Sequence, residues 1–179
     1  MNILTMNKRF NWLICIGIAV ACIFLSGCGK SKGKAVDTPD GNAVYYWRTT
    51  FRMNDYERNF MKEHNITKMY VRFFDVVENW DGKIMPVGTM IFIDKVPQDI
   101  EIVPTVYISS EAIAKYEEFK DKMLARIEDM ASANGVKYGE IQIDCDWTES
   151  SADKYFAFMK EFKTMLEPKG IGLSTTVRM

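Results

Sequence analysis

The chain has 179 residues, 47% of them hydrophobic, and a net charge of −1, so it can build a core but has no basic surplus for a nucleic-acid backbone. A single histidine, His64, sits in a polar stretch that reads as a solvated helix end, which leaves little for a zinc site or a Ser-His-Asp nucleophile system. No cofactor, resident metal or nucleic-acid partner is expected.

In chain order, Lys8 and Arg9 precede an apolar run from Trp12 to Leu25 that is too short for an ordinary membrane span. It ends in Leu25-Ser26-Gly27-Cys28, which resembles the bacterial lipobox, Leu-(Ala/Ser)-(Gly/Ala)-Cys. The resemblance implies that residues 1–27 are a lipoprotein signal peptide, cleaved before Cys28, and that acylated Cys28 anchors the protein in a membrane. Lys8 and Arg9 are the only charges in those 27 residues, so cleavage leaves 152 residues with net charge −3. Cys145 then remains as the one free thiol, with no partner for an intramolecular disulfide. Residues 28–42 are rich in Gly, Lys and Asp and poor in apolar side chains, and read as a flexible tether. Glycine rather than aspartate follows Cys28, and no acidic run comes after it. By similarity to lipoprotein sorting signals this implies an outer-membrane anchor facing the periplasm, with exposure at the cell surface left open.

The domain that follows, 43–179, alternates strand and helix patterns. Residues 43–51 (AVYYWRTTF) read as a strand. Asn54 and Glu57 form a capping box for a helix reaching about Asn65, with Tyr56, Phe60 and Met61 on its apolar face. Residues 68–77 are a second strand, in which Arg72 and Asp75 have opposite parity and are expected to point apart. Residues 79–99 hold Asp81-Gly82, Pro86, Gly88 and Pro97 and predict a turn, a short extended piece and a loop where a crossover helix would be expected. Residues 100–109 are a third strand, and Pro104 predicts a bulge or an edge position there. One long helix, capped by Ser109 or Ser110, should run through Ile113, Tyr116, Phe119, Met123, Ile127 and Met130 to Asn134-Gly135. Residues 140–147 (EIQIDCDW) are a fourth strand. Ser150 or Ser151 should cap the next helix, with Tyr155, Phe158, Met159, Phe162 and Met165 as its core stripe, and residues 171–179 are a fifth strand.

This order predicts an α/β fold with a parallel sheet. Two architectures fit: a partial (β/α)8 TIM barrel comprising about five N-terminal strands, or a five-stranded flavodoxin-like open sheet. The barrel is preferred because the sequence stops within a strand with no covering helix after it, and because Arg52-Met53-Asn54 offers no Gly-rich phosphate cradle after the first strand. On that reading the domain is incomplete.

The fourth strand carries the chemistry. Asp144 and Asp146 share one face, about 6.6 Å apart along the strand, while Cys145 faces the helices as a small core residue. Carboxylates at the C-terminal end of a strand stand where β/α folds place their active sites. Asp146, nearer the end, takes the reacting role and Asp144 tunes it. Glu149 is a reserve acid, Asp75 is another, and Arg72 and Arg178 are candidate partners of the acids. Trp47, Trp80 and Trp147 lie near strand ends, where rings can stack on sugars or simply anchor loops.

IQIDCDW resembles the fourth-strand signature of family 18 glycoside hydrolases, DGxDxDWE. Asp144, Asp146 and Trp147 match its second and third Asp and its Trp. Ile141 and Gln142 replace the first Asp and the Gly, and Thr148 stands at the acid Glu, with Glu149 one residue late. The domain as a whole resembles Bacteroidetes-type lipoproteins with a glycoside-hydrolase-like barrel. The resemblance implies carbohydrate hydrolysis by Asp144, Asp146 and Glu149, with Trp47, Arg72, Asp75, Trp80, Trp147 and Arg178 around the substrate. The alternative is a non-catalytic barrel that binds glycan or protein.

Overall fold

The computed structural model describes residues 41–177. The expected signal peptide, Cys28, the expected tether up to residue 40 and Arg178 lie outside the described residues. The architecture is mixed α/β around a mostly parallel six-stranded sheet. Its strands are β1 (Asn42–Tyr46), β3 (Ile66–Glu78), β4 (Ile84–Val87), β6 (Glu101–Ile108), β7 (Glu140–Cys145) and β8 (Gly172–Thr175). The order across the sheet is β1-β3-β6-β7-β8, with β4 paired antiparallel to β3. Each parallel strand therefore lies beside the one before it in the chain. The flavodoxin-like order, with its reversal at a switch point, is absent among the described residues. A separate pair, β2 (Thr50–Phe51) and β5 (Ile91–Phe92), flanks the sheet.

The expected strand over 43–51 is thus split in two. The chain turns around Tyr46, whose hydroxyl accepts from the Arg52 N–H (3.0 Å) and lies 2.9 Å from the Arg52 carbonyl. The helix α1 (Asp55–Glu63) has the predicted capping box, Asn54 accepting from Glu57 N and Glu57 accepting from Asn54 N. Only Met61 of its expected apolar face is buried; Tyr56 and Phe60 are exposed. Pro104 lies in a central strand, not at an edge. The ladder from β6 to β7 begins at Thr105, just past the residue with no N–H to give, and the bulge falls in the neighbouring β3, between Arg72 and Phe74.

The long helix is broken into α2 (Ser110–Ile113), a 3₁₀ turn (Tyr116–Glu118) and α3 (Lys120–Ala133). The apolar spacing explains the break. Ile113, Tyr116 and Phe119 recur every three residues, which suits a 3₁₀ turn; Phe119, Met123, Ile127 and Ala131 recur every four, which suits an α-helix. Helix α4 (Ala152–Leu166) follows a 3₁₀ turn (Glu149–Ser151) capped by Thr148, because the Ser151 hydroxyl is turned back onto Thr148. Tyr155, Phe158, Phe162 and Leu166 form its buried stripe.

Helices cover one face of the sheet. Val71, Ile102, Val106, Ile108, Ile141 and Ile143 pack there against side chains such as Ile127, Phe158 and Phe162. No helix among the described residues is long and apolar enough to cross a membrane.

Candidate functional site on the polar face of the sheet

The opposite face is polar, and strand register sets which side chains meet on it. Lys68 pairs in register with Glu101, Arg72 with Thr105, and Asp75 with Tyr107. Thr105 pairs with Gln142 and Tyr107 with Asp144. Two-residue periodicity then puts all of them on the side away from the helices.

The side chains are tied in layers along the strands. Near the N-terminal ends, Lys68 bridges Glu140 (2.8 Å) and Glu101 (3.3 Å), and the Ser174 hydroxyl donates to Glu140. Burial alone would lower the Lys68 pKa, but its bond to Glu140 and the charges of Glu140 and Glu101 leave it raised. In the middle, the Gln142 amide donates to the Tyr45 hydroxyl at 3.0 Å, and the Tyr45 ring stacks on Tyr70. At the C-terminal rim, the Thr176 hydroxyl donates to Asp144 Oδ1 (2.6 Å) and the Tyr107 hydroxyl to Asp146 Oδ2 (3.2 Å). Asp144 is half-buried and Asp146 is exposed.

Both strand-end aspartates thus sit on the face that no helix among the described residues covers, as expected. Cys145 is buried on the helix side, and burial, together with the charges of Asp146 and Asp144, pushes its thiol up to about 12. It is an inert packing residue at neutral pH. Tyr107 is also pushed up to about 12, by burial first and then by the charge and hydrogen bond of Asp146. It is therefore a neutral donor to Asp146 at every ordinary pH.

Arg72 and Asp75 depart from the expectation. The β3 bulge inserts one residue between them and reverses the parity, so they share a face. They form a two-pronged ion pair, with Arg72 Nε 2.6 Å from Asp75 Oδ1 and a second contact from Nη2 to Oδ2. The hydrogen bond that Arg72 donates to Asp75 raises the Arg72 pKa against the effect of burial. Gly88 closes over the pair with φ +59°, and a Cβ there would stand 2.9 Å from Arg72 Nη2. Asp75 is thereby committed to Arg72 and is not a free reserve acid.

The three tryptophans have different surroundings. Trp147 stacks on Tyr155 (5.6 Å between centroids) and leans on Phe156, so it anchors its loop to α4. Trp80 lies in the β3–β4 turn and is 93% exposed. Trp47, one residue past β1, is 42% exposed and stacks on Tyr45 with their planes 3° apart. Glu149 is exposed in the 3₁₀ turn after β7. Thr148, the residue in the acid position of the resembled motif, spends its hydroxyl on Ser150 and Ser151.

Sequence reasoning did not single out Tyr45, Tyr70, Tyr107, Gln142 or Thr176. Tyr70, Tyr107, Gln142 and Thr176 each share the parity of a charged residue on their own predicted strand, whereas Tyr45 is placed only by its register with Tyr70. A cavity of about 400 Å³ lies between the β1 edge and α1, lined by Tyr45, Tyr46, Trp47, Met53, Tyr56 and Phe60 among others. Asp144 and Asp146 face an open surface, not that cavity. Among the described residues no group of three or more His, Cys, Asp or Glu converges as a metal-binding set. No protein-family model, curated protein or solved structure matches the chain.

Proposed function

We propose that this is a lipid-anchored protein of the bacterial cell envelope whose polar sheet face takes a carbohydrate at its C-terminal rim and hydrolyses it with Asp146 and Asp144. The observation that carries this reading is the placement of both carboxylates at the end of β7, on the face that no helix among the described residues covers, with Asp146 exposed and hydrogen-bonded by Tyr107. Glycoside hydrolysis needs one carboxyl to protonate the leaving oxygen and a second to attack or to activate water. Asp146 has the open position; Asp144, held by Thr176, sets the local charge; exposed Glu149 is the candidate proton donor. We also propose that the sheet is wound as part of a (β/α)8-type barrel. Five parallel strands adjacent in chain order, with one polar face, support that winding.

A second reading, glycan binding without turnover, is favoured by one observation: the Thr148 hydroxyl in the acid position is consumed by its own cap. The two separate on Asp146→Asn in the full chain, assayed against a panel of polysaccharides and aryl glycosides. Hydrolysis should be lost while affinity stays within about threefold, since removing a group that acts only in the transition state spares ground-state binding. A wild-type protein that binds glycan but releases no sugar would leave only the binding reading. The membrane address is tested by Cys28→Ala, which should abolish labelling by a palmitate analogue and move the protein out of the membrane fraction.

A further inference from the structure

On the helix side of the sheet, α3, the 3₁₀ turn before it and the β3–β4 ribbon frame a cavity of about 310 Å³. Val76, which pairs with Ile108 on that side, meets Ile84, Phe119 and Met123 to give it apolar walls. Two cations, Lys122 and Arg126, line it from α3, one helical turn apart. Like charges at that spacing weaken a helix, so the helix itself gives no reason for the pair. Arg126 is half-buried; its Nη2 donates to Thr89 Oγ1 at 2.9 Å, and its guanidinium carbon lies 5.2 Å from the centre of the Phe74 ring. Its Nε is buried without a hydrogen-bond partner, the one such side-chain nitrogen among the described residues. A donor left that way costs its desolvation. Lys68 and Arg72, on the other face of the sheet, each meet a carboxylate; neither Arg126 nor Lys122 does so among the described residues. Glu118 also lines the cavity and forms an ion pair with neither cation.

We propose that this cavity binds a small organic carboxylate with an apolar body, of the kind a medium-chain fatty acid presents. The site is separate from the carbohydrate reading above and does not depend on it. Arg126 Nη1 makes no hydrogen bond within the described residues and is not enclosed, so it is the edge of the guanidinium that a carboxylate reaches. Lys122 supplies the second positive charge. An anion there offsets a guanidinium that folding has partly taken out of water. The apolar body removes Val76, Ile84, Phe119 and Met123 from water in turn. The volume stands at the lower end of the range of about 300–1,000 Å³ for small-molecule sites, which suits a body of about eight carbons. A sugar brings no charge to the two cations, and inorganic phosphate leaves the apolar walls wet.

The test is calorimetry on the full chain with octanoate, acetate and 1-octanol. Octanoate should bind about tenfold tighter than either of the others, since acetate lacks the apolar body and 1-octanol lacks the charge. Arg126→Met keeps an apolar stem beside Phe74 and removes the cation. It should weaken octanoate about tenfold, to the level of 1-octanol, and leave 1-octanol unchanged. Lys122→Glu, at an exposed position, places a negative charge beside the carboxylate and should weaken octanoate about threefold, again with 1-octanol unchanged. Octanoate that fails to bind, that binds no tighter than 1-octanol, or that ignores both substitutions overturns the site. Circular dichroism checks the fold of each variant. Should Arg126→Met fail to fold, Lys122→Glu decides: a loss confined to octanoate upholds the site, and an equal effect on both ligands, or none, overturns it.

Discussion

On the helix side of the sheet, Ile102, Val106, Ile108, Ile141 and Ile143 are at most 2% exposed and touch other apolar side chains. On the other side, the same strands present Glu101, Thr105, Tyr107, Gln142 and Asp144, all of which are hydrogen-bonded or ion-paired across strands. The first face is held by area removed from water, where shape matters more than identity. The second is held by specific partners, where each group left alone costs its full desolvation. A parallel sheet is normally buried on both faces. Here the second face, apart from buried Val103, is polar and tied in layers, and Asp146 emerges at its C-terminal rim.

The contrast can be broken from either side. The largest expected effect is on the helix face: Phe158→Ala, at a site with no exposure, should cost about 3–5 kcal/mol of stability, read from the urea midpoint. On the polar face, Lys68→Met leaves Glu101 and Glu140 without their cation and should cost about 2 kcal/mol, less than a fully buried pair because the layer is partly open. A loss no larger than that of a surface ion pair would place this layer in bulk solvent and erase the distinction between the faces. The same residue sets a pH window. A lysine pKa raised by folding contributes stability that is complete below the unfolded value of about 10.4 and is lost as the pH climbs through the folded one. The wild type should weaken there more steeply than Lys68→Met, as equilibrium unfolding at successive alkaline pH values would reveal.

Tyr107→Phe is the smaller probe. It should cost about 1 kcal/mol, the worth of one hydrogen bond to a charged group at a partly open site. A phenol that ionises near 12 when folded and near 10 when unfolded stabilises the native state fully below about pH 10, and that stability is lost between those values. Ultraviolet titration of the folded wild type should show phenols ionising near 12, one of them absent in Tyr107→Phe. Tyr116, also pushed up to about 12, chiefly by its hydrogen bond to Glu161, should remain.

Much of this was legible in the sequence because it is local. The Asn54–Glu57 capping box, the parity of Asp144, Cys145 and Asp146, and the Tyr155, Phe158 and Phe162 part of the α4 stripe follow from spacing within one element, while Met159 and Met165 are only partly buried and Leu166 takes the last buried place. What was not legible depends on neighbours. The β3 bulge that brings Arg72 onto the face of Asp75 is a property of pairing with β6 and has no signature in residues 68–77 alone. The break of the long helix was written in its three-then-four spacing, but an average helical period conceals that change. The tryptophans divided according to what packs on them: Trp147 went to Tyr155 of α4, which follows it in the chain, and Trp47 to a ring two residues before it.

The central claim is that the C-terminal rim of the polar face is where a ligand meets this protein. Backbone amide shifts recorded while a binding oligosaccharide is titrated into the full chain test it most directly. The account predicts that the largest changes fall at Tyr107, Asp144 to Glu149 and Thr176, with α3 and the N-terminal Lys68–Glu140 layer unmoved. Changes centred on α1, α3 or the N-terminal layer, with the rim silent, would contradict it.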